Sequence, residues 1–177
     1  MKIKILTPLL FLILQASNCI AEENTIISAI ESGDYNAFKQ AYETAKNKNS
    51  TTTEDGASYP LLSAVMAIKD PRFFELAVKF SDPNFIELGG LTPIFTTPIH
   101  CSTKQAKSLV EHGADINHVA DVMHLTPLHM VAASKCYELA AFLVQAGASK
   151  KSRTKDGKTP ADIAREKSDA RMLSIVQ

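Results

Sequence analysis

The sequence predicts an all-α solenoid of four to five helix-turn-helix units joined by β-turn connections. Three observations carry the prediction. Thr126-Pro127 and Thr159-Pro160 stand 33 residues apart. Gly113 lies 21 residues after Thr92-Pro93, and Gly147 lies 21 residues after Thr126-Pro127. Between these marks, apolar residues recur at helical spacing. Self-similarity at such a period marks a chain whose units bury their apolar faces only against their neighbours.

The first 21 residues read as a secretory leader. Met1-Lys2-Ile3-Lys4 is a short basic start, and residues 5–14 are mostly apolar. Cys19 and Ala21 fit −3 and −1 of a small-residue cleavage site that would leave Glu22 first. The apolar run is too short for a spanning helix, which needs about twenty residues. Ala16-Ser17-Asn18 fits a bacterial lipid-attachment box before Cys19 poorly, because Asn18 is not small and apolar. The lysine-bearing leader looks bacterial, and the expected destination is the periplasm or the exterior.

The remaining chain divides into units at about 24–58, 59–91, 92–125, 126–158 and a shortened 159–177. In the first, Ile26, Ile27, Ala29 and Ile30 followed by Gly33-Asp34 suit a capping helix and its turn. The polar run from Glu43 to Asp55 reads as a solvated loop. The second unit opens at Tyr59-Pro60-Leu61-Leu62, and Asp82-Pro83-Asn84 replaces the glycine turn that closes later units. The third opens at Thr92-Pro93-Ile94-Phe95. Pro98 falls inside its expected first helix, where it removes a hydrogen bond and kinks the axis. Starting instead at Thr97-Pro98-Ile99-His100, sixteen residues before Gly113, would delete more than a helical turn.

In the fourth unit, Leu128, Val131, Ala132 and Ala133 form the apolar stripe of one helix, and Leu139, Ala140, Leu143 and Val144 that of the next. Thr126 suits an N-cap, Pro127 the first helical turn and Gly147 a left-handed C-cap. Thr159-Pro160 starts the fifth in the same way. The connection from Gly113 to Thr126 is one residue longer than that from Gly147 to Thr159, so the segment from Asn117 to Leu125 should bulge.

Thr126-Pro127-Leu128-His129-Met130-Val131-Ala132-Ala133 and Gly113-Ala114-Asp115-Ile116-Asn117 resemble the opening signature and closing turn of the ankyrin repeat, whose period is 33. The resemblance covers nearly all of the chain after the leader and is strongest in the last three units. It implies a stack whose β-turn fingers and first helices form a concave face that grips another protein. It also implies that His129 hydrogen-bonds within its turn and helps hold Thr126. Phe95 takes that place in the third unit.

Nineteen Lys and Arg residues balance nineteen Asp and Glu residues, so no basic face for nucleic acid is expected. Without Lys2 and Lys4 the balance is 17 against 19, or −2. No Gly-x-Ser-x-Gly elbow, phosphate loop or Gly-x-Gly-x-x-Gly occurs, and no catalytic or cofactor-binding residue is assigned. His112, Asp115, His118, Asp121 and His124 recur every three residues. They run from a helix end through Gly113 into a turn, where side chains should diverge, so no metal site is assigned. Cys101 and Cys136 fall in the inter-helix turns of adjacent units. Neighbouring repeats stack roughly 10 Å apart, and a disulfide needs Cα atoms within about 7 Å. Either the one-position stagger and the Pro98 kink close that gap, or the two thiols are free.

The expected function is a non-catalytic periplasmic protein-binding module, monomeric when unbound and free of the membrane once its leader is removed. Exposed apolar clusters mark contact sites. The expected anchors are Phe85, Val122 and Met123, with Asp121, His124, Asp156 and Lys158 as a polar rim. Ile86 and Val119 are expected to pack beneath the fingers. Exported bacterial ankyrin proteins that the chain resembles include accessory factors for a periplasmic catalase and immunity proteins against a secreted lipase-type toxin. The resemblance therefore points to a toxin or a periplasmic enzyme as partner. The alternatives are a host-directed effector, or a hydrolase or metal-binding protein converging on His112, Asp115 and His124.

Overall fold

A computed structural model describes residues 25–52 and 58–177, in two compact bodies that meet in sequence at Ala77 and Val78. The expected leader, residues 1–21, lies outside the described residues.

The first body contains α1 (residues 25–32), α2 (Tyr35–Thr44), β1 (Ser50–Thr52), β2 (Ser58–Pro60), α3 (Leu61–Met66) and α4 (Pro71–Ala77). The left-handed Gly33 (φ +70°) ends α1. Asp34 then caps α2, its carboxylate accepting the N–H groups of Asn36 (3.0 Å) and Ala37 (3.1 Å). The core is aromatic. The Phe38 ring centroid lies 5.2 Å from that of Tyr42 and 4.8 Å from that of Phe73. The Tyr42 hydroxyl lies 3.2 Å from the Ala77 carbonyl and 3.3 Å from that of Lys48, so this fully buried ring keeps a partner for its polar end.

The run from Glu43 to Asp55, expected as a solvated loop, instead contains a strand. Ser50–Thr52 pairs antiparallel with Ser58–Pro60, Ser50 opposite Pro60. The Leu61 N–H continues the ladder to the Asn49 carbonyl at 2.9 Å. A three-residue Ser/Thr strand has no apolar alternation to reveal it.

The second body has two 3-10 turns (Leu88–Gly90 and Pro93–Thr96), then α5 (Thr103–Glu111), α6 (Pro127–Ala132), α7 (Tyr137–Gln145), α8 (Pro160–Glu166) and α9 (Ala170–Val176). The pair α6/α7 packs on the pair α8/α9, with α6 against α8 and α7 against α9, and α7 also meets α5. Ile94, Leu109, Leu128, Leu139, Leu143 and Met172 are fully buried between them. Each such burial is worth about 1.5–3 kcal/mol. Ala106, Ala140 and Ala164, also fully buried, let the helices approach closely. Two members of the expected stripes differ. Ala133 is the exposed C-cap of α6, and Val144 is half-buried.

The fourth residue of each Thr-Pro signature decides how its helix begins. His129 Nδ1 lies 3.1 Å from Thr126 N and 2.8 Å from Thr126 Oγ1. Its Nε2 lies 3.1 Å from the carbonyls of both Ser152 and Lys158. Two acceptors at Nε2 place the ring proton there, so Nδ1 accepts from Thr126 and the ring ties the start of α6 to the following finger. Burial holds the imidazole below its ordinary pKa. In the fifth unit the Asp162 carboxylate accepts from Thr159 N (2.9 Å) and Oγ1 (2.7 Å), while Asp162 N–H donates back to Oγ1 (3.2 Å). Phe95 can do neither, and Thr92 Oγ1 is buried without a hydrogen-bond partner.

That start is a 3-10 turn, Pro93–Thr96, followed by turns through Cys101, rather than the expected kinked helix. An α-helix would carry the residue-98 N–H to the Ile94 carbonyl, and proline has none. Thr97 supplies both its N–H (3.2 Å) and its hydroxyl (2.8 Å) to that carbonyl instead.

Candidate functional site: the finger row

Three fingers of the second body are each closed by a bond between their legs. Glu87 N–H donates to Leu91 O (2.7 Å), Ala120 N–H to Leu125 O (2.8 Å) and Thr154 N–H to Lys158 O (2.9 Å). The fingers also bond to one another, Val122 N–H to Gly89 O (3.0 Å) and Lys155 N–H to Met123 O (2.9 Å). Asparagines brace their bases. Asn84 Nδ2 donates to Gly113 O (2.9 Å) and its Oδ1 accepts Asp115 N–H (2.7 Å). Asn117 does the same for Gly147 O (3.1 Å) and Ser149 N–H (2.7 Å). The turn Asp82-Pro83-Asn84 thus works like Asp115-Ile116-Asn117, with each aspartate accepting the asparagine N–H at 2.8 Å.

The extra residue of the middle finger is absorbed in a tight turn at its tip. Leu125 N–H reaches Val122 O (3.3 Å) across Met123 (φ +56°) and His124 (φ +51°). Two left-handed central residues define a type I′ turn, which favours Asn-Gly. Met-His there costs on the order of 1–2 kcal/mol per residue. Beside it, a Cβ on Gly90 (φ +74°) would fall 2.6 Å from Asp121 N and 2.7 Å from its Oδ2, so the middle finger leaves room only for glycine.

The tips expose apolar side chains. Val122 is 48% exposed and Met123 47%, at the positions expected of anchors. Phe85, expected beside them, is half-buried. Ile86 (55%) and Val119 (51%), expected to pack beneath the fingers, are exposed instead. Leu88, at 95%, was not anticipated, although an apolar residue directly before Gly89-Gly90 is a readable turn-tip signal. Asp121, His124 and Asp156 are exposed, whereas Lys158 is half-buried and its ammonium pairs with Glu166 at 2.7 Å.

The every-third-residue series is not gathered into a site. His112 Nδ1 lies 2.8 Å from Ser108 O in its own helix, and His118 Nε2 lies 2.7 Å from Gly90 O. Asp115 is committed to its turn. Among the described residues, no three His, Cys, Asp or Glu side chains are arranged to hold a metal ion. Cys101 and Cys136 are joined in a disulfide with Cα atoms 5.1 Å apart. The bond links the turn before α5 to the turn before α7. The turns after Pro98, ending in left-handed Cys101 (φ +49°), bring the two backbones within reach. Cys101 is exposed and Cys136 buried.

Comparison with known proteins agrees with this architecture. The pattern of ankyrin repeats, in three copies, matches residues 61–154, more than half of the chain. The chain is 43% identical over 67 residues to a BTB/POZ domain and ankyrin repeat-containing protein of Oryza sativa subsp. japonica, covering 37% of this chain and 13% of the relative. It is 35% identical over 85 residues to an I-Kappa-B like protein of Microplitis demolitor bracovirus, covering 48% and 44%. It is 34% identical over 82 residues to an ankyrin repeat and SOCS box protein of Mus musculus, covering 46% and 27%. The chain therefore spans less than half the length of each of these relatives. Among the described residues, no helix is long and apolar enough to cross a membrane.

Proposed function

This chain belongs to the ankyrin repeat family, and on that premise we propose that it is a non-catalytic, exported binding module that holds a protein partner across its finger tips. Ankyrin repeats mediate protein–protein interaction. The observation that carries the reading is the row of exposed apolar side chains, Leu88, Val122 and Met123, on fingers cross-bonded by their own backbones. Covering one such side chain is worth about 1.5–3 kcal/mol, and a few anchors dominate most interfaces. The left-handed Met123 supports it, because strained backbone clusters at functional sites.

Export is supported by the leader pattern and by the disulfide, since such bonds persist in oxidising compartments. The reading places the protein in the periplasm as an immunity protein or an accessory factor, with a toxin or a resident enzyme as partner. Affinity purification from a periplasmic extract, with mass spectrometry, identifies that partner. Val122→Asp with Met123→Asp should abolish its binding while circular dichroism and melting temperature stay nearly unchanged. Normal binding by this variant sinks the finger assignment, and unfolding means that the two side chains are core.

A further inference from the structure

We infer that the finger row receives a protein segment that is apolar at one end and rich in carboxylates at the other. This rests on the finger-binding reading above and adds the chemistry of the partner. The leg-to-leg bonds put Glu87, Ala120 and Thr154 at one register of their fingers. The residues on either side of these three therefore occupy matching positions in the three fingers. Those residues are Ile86 and Leu88, Val119 and Asp121, Arg153 and Lys155. All six are exposed, while Glu87 is half-buried and Ala120 and Thr154 are buried.

This exposed row changes character from finger to finger. The first offers two aliphatic side chains and the last offers two cations. The middle finger adds Val119, and the carboxylate of its Asp121 lies against Gly90. Two neighbouring cations at the basic end are engaged elsewhere, Lys158 with Glu166 (2.7 Å) and Lys150 with the Gln177 carbonyl (2.9 Å). Arg153 donates one N–H to Gly157 O (2.6 Å), its charge also acts on the Asp162 carboxylate, and its exposed guanidinium has further donors to offer. Lys151 is exposed on the same segment. A partner segment gains most by laying apolar residues on Ile86, Leu88 and Val119 and carboxylates on Arg153 and Lys155. A nucleic acid would leave the aliphatic half of the row uncovered.

The probe is a displayed library of random peptides about twelve residues long, which extended span about 40 Å, selected on the purified chain. Three baits are compared: wild type, Arg153→Glu with Lys155→Glu, and Ile86→Asp with Leu88→Asp, each first checked for unchanged circular dichroism. Wild type should enrich peptides with apolar residues at one end and Asp or Glu at the other. Their affinity should fall at least about fivefold between low and high salt, because the ion pairs are exposed. The charge-reversed bait should lose the acidic preference and keep the apolar one, and the aspartate bait should lose both. Enriched peptides without acidic bias, or the same peptides on wild-type and charge-reversed baits, overturn the inference while leaving finger binding intact. No enrichment on wild type also overturns it. Peptides that bind all three baits equally overturn the finger reading itself.

Discussion

Removing the Cys101–Cys136 bond should cost this protein about 4 kcal/mol. The bond closes a loop across a sequence separation of 35. In the chain-entropy treatment, that loop restricts the unfolded chain by about 13 cal/mol/K, or about 4 kcal/mol at 25 °C. At about 2–4 °C per kcal/mol for a chain of this size, the melting temperature should drop by about 8–16 °C. The loss should be concentrated at one place. The segment from Thr92 to Ser102 starts without a cap, holds a 3-10 turn and contains a buried, unpaired hydroxyl. It has less local support than α6, whose first residues His129 Nδ1 holds through Thr126 N and Oγ1. Urea titration of Cys101→Ala with Cys136→Ala should therefore match wild type in reductant. Hydrogen exchange should show protection lost over 92–102 well before 127–145. Residue-specific alkylation that finds free thiols at both positions in the folded, unreduced protein would refute the reasoning. So would unfolding free energies of unreduced wild type and the double variant within about 1 kcal/mol of one another.

Four further outcomes are expected. His124→Gly should stabilise the middle finger by about 0.5–1 kcal/mol over His124→Ala, because glycine relieves the left-handed backbone at an entropic cost smaller than the relief; equal melting curves would mean that the turn is not held there. Gly90→Ala should cost more than about 2 kcal/mol in denaturant titration, while Gly113→Ala, with open space around its Cβ, should cost only the left-handed strain of about 1 kcal/mol. Leu143→Ala should destabilise by about 2–4 kcal/mol through a cavity in the stacked core, against less than about 0.5 kcal/mol for exposed Lys155→Ala. His129 is 1% exposed and its pKa is lowered chiefly by burial. Its contribution is therefore complete above the unfolded pKa of about 6.5 and is lost as pH falls below it, by up to about 1.4 kcal/mol per unit. Chemical denaturation from pH 7.5 to 5 should show this slope in wild type and a shallower one in His129→Gln.

The sequence alone determined the repeat. Thr-Pro at helix starts, glycine at helix ends and alanine between neighbouring helices are local requirements, and a helix-turn-helix unit meets them within its own 33 residues. The role of His129 was legible through the resemblance to the repeat signature, and its Thr126 partner lies three residues away. The added residue before Leu125 was also visible, but its form was not. Whether an insertion bulges or tightens depends on the finger beside it, and here Gly89 O and Lys155 N–H hold both sides of the turn. The exposures of Phe85, Ile86, Leu88 and Val119 were decided at the same level, because a side chain in a finger is buried or free according to the register of fingers some 33 residues away. The β1–β2 pairing lay beyond reach for a related reason, its strands being recognised by partner rather than by pattern. The Cys101–Cys136 bond depended on the path of the chain after Pro98. Proline announces that a helical bond is missing, but only the packed structure says which neighbour takes up the freed carbonyl and where the chain then turns.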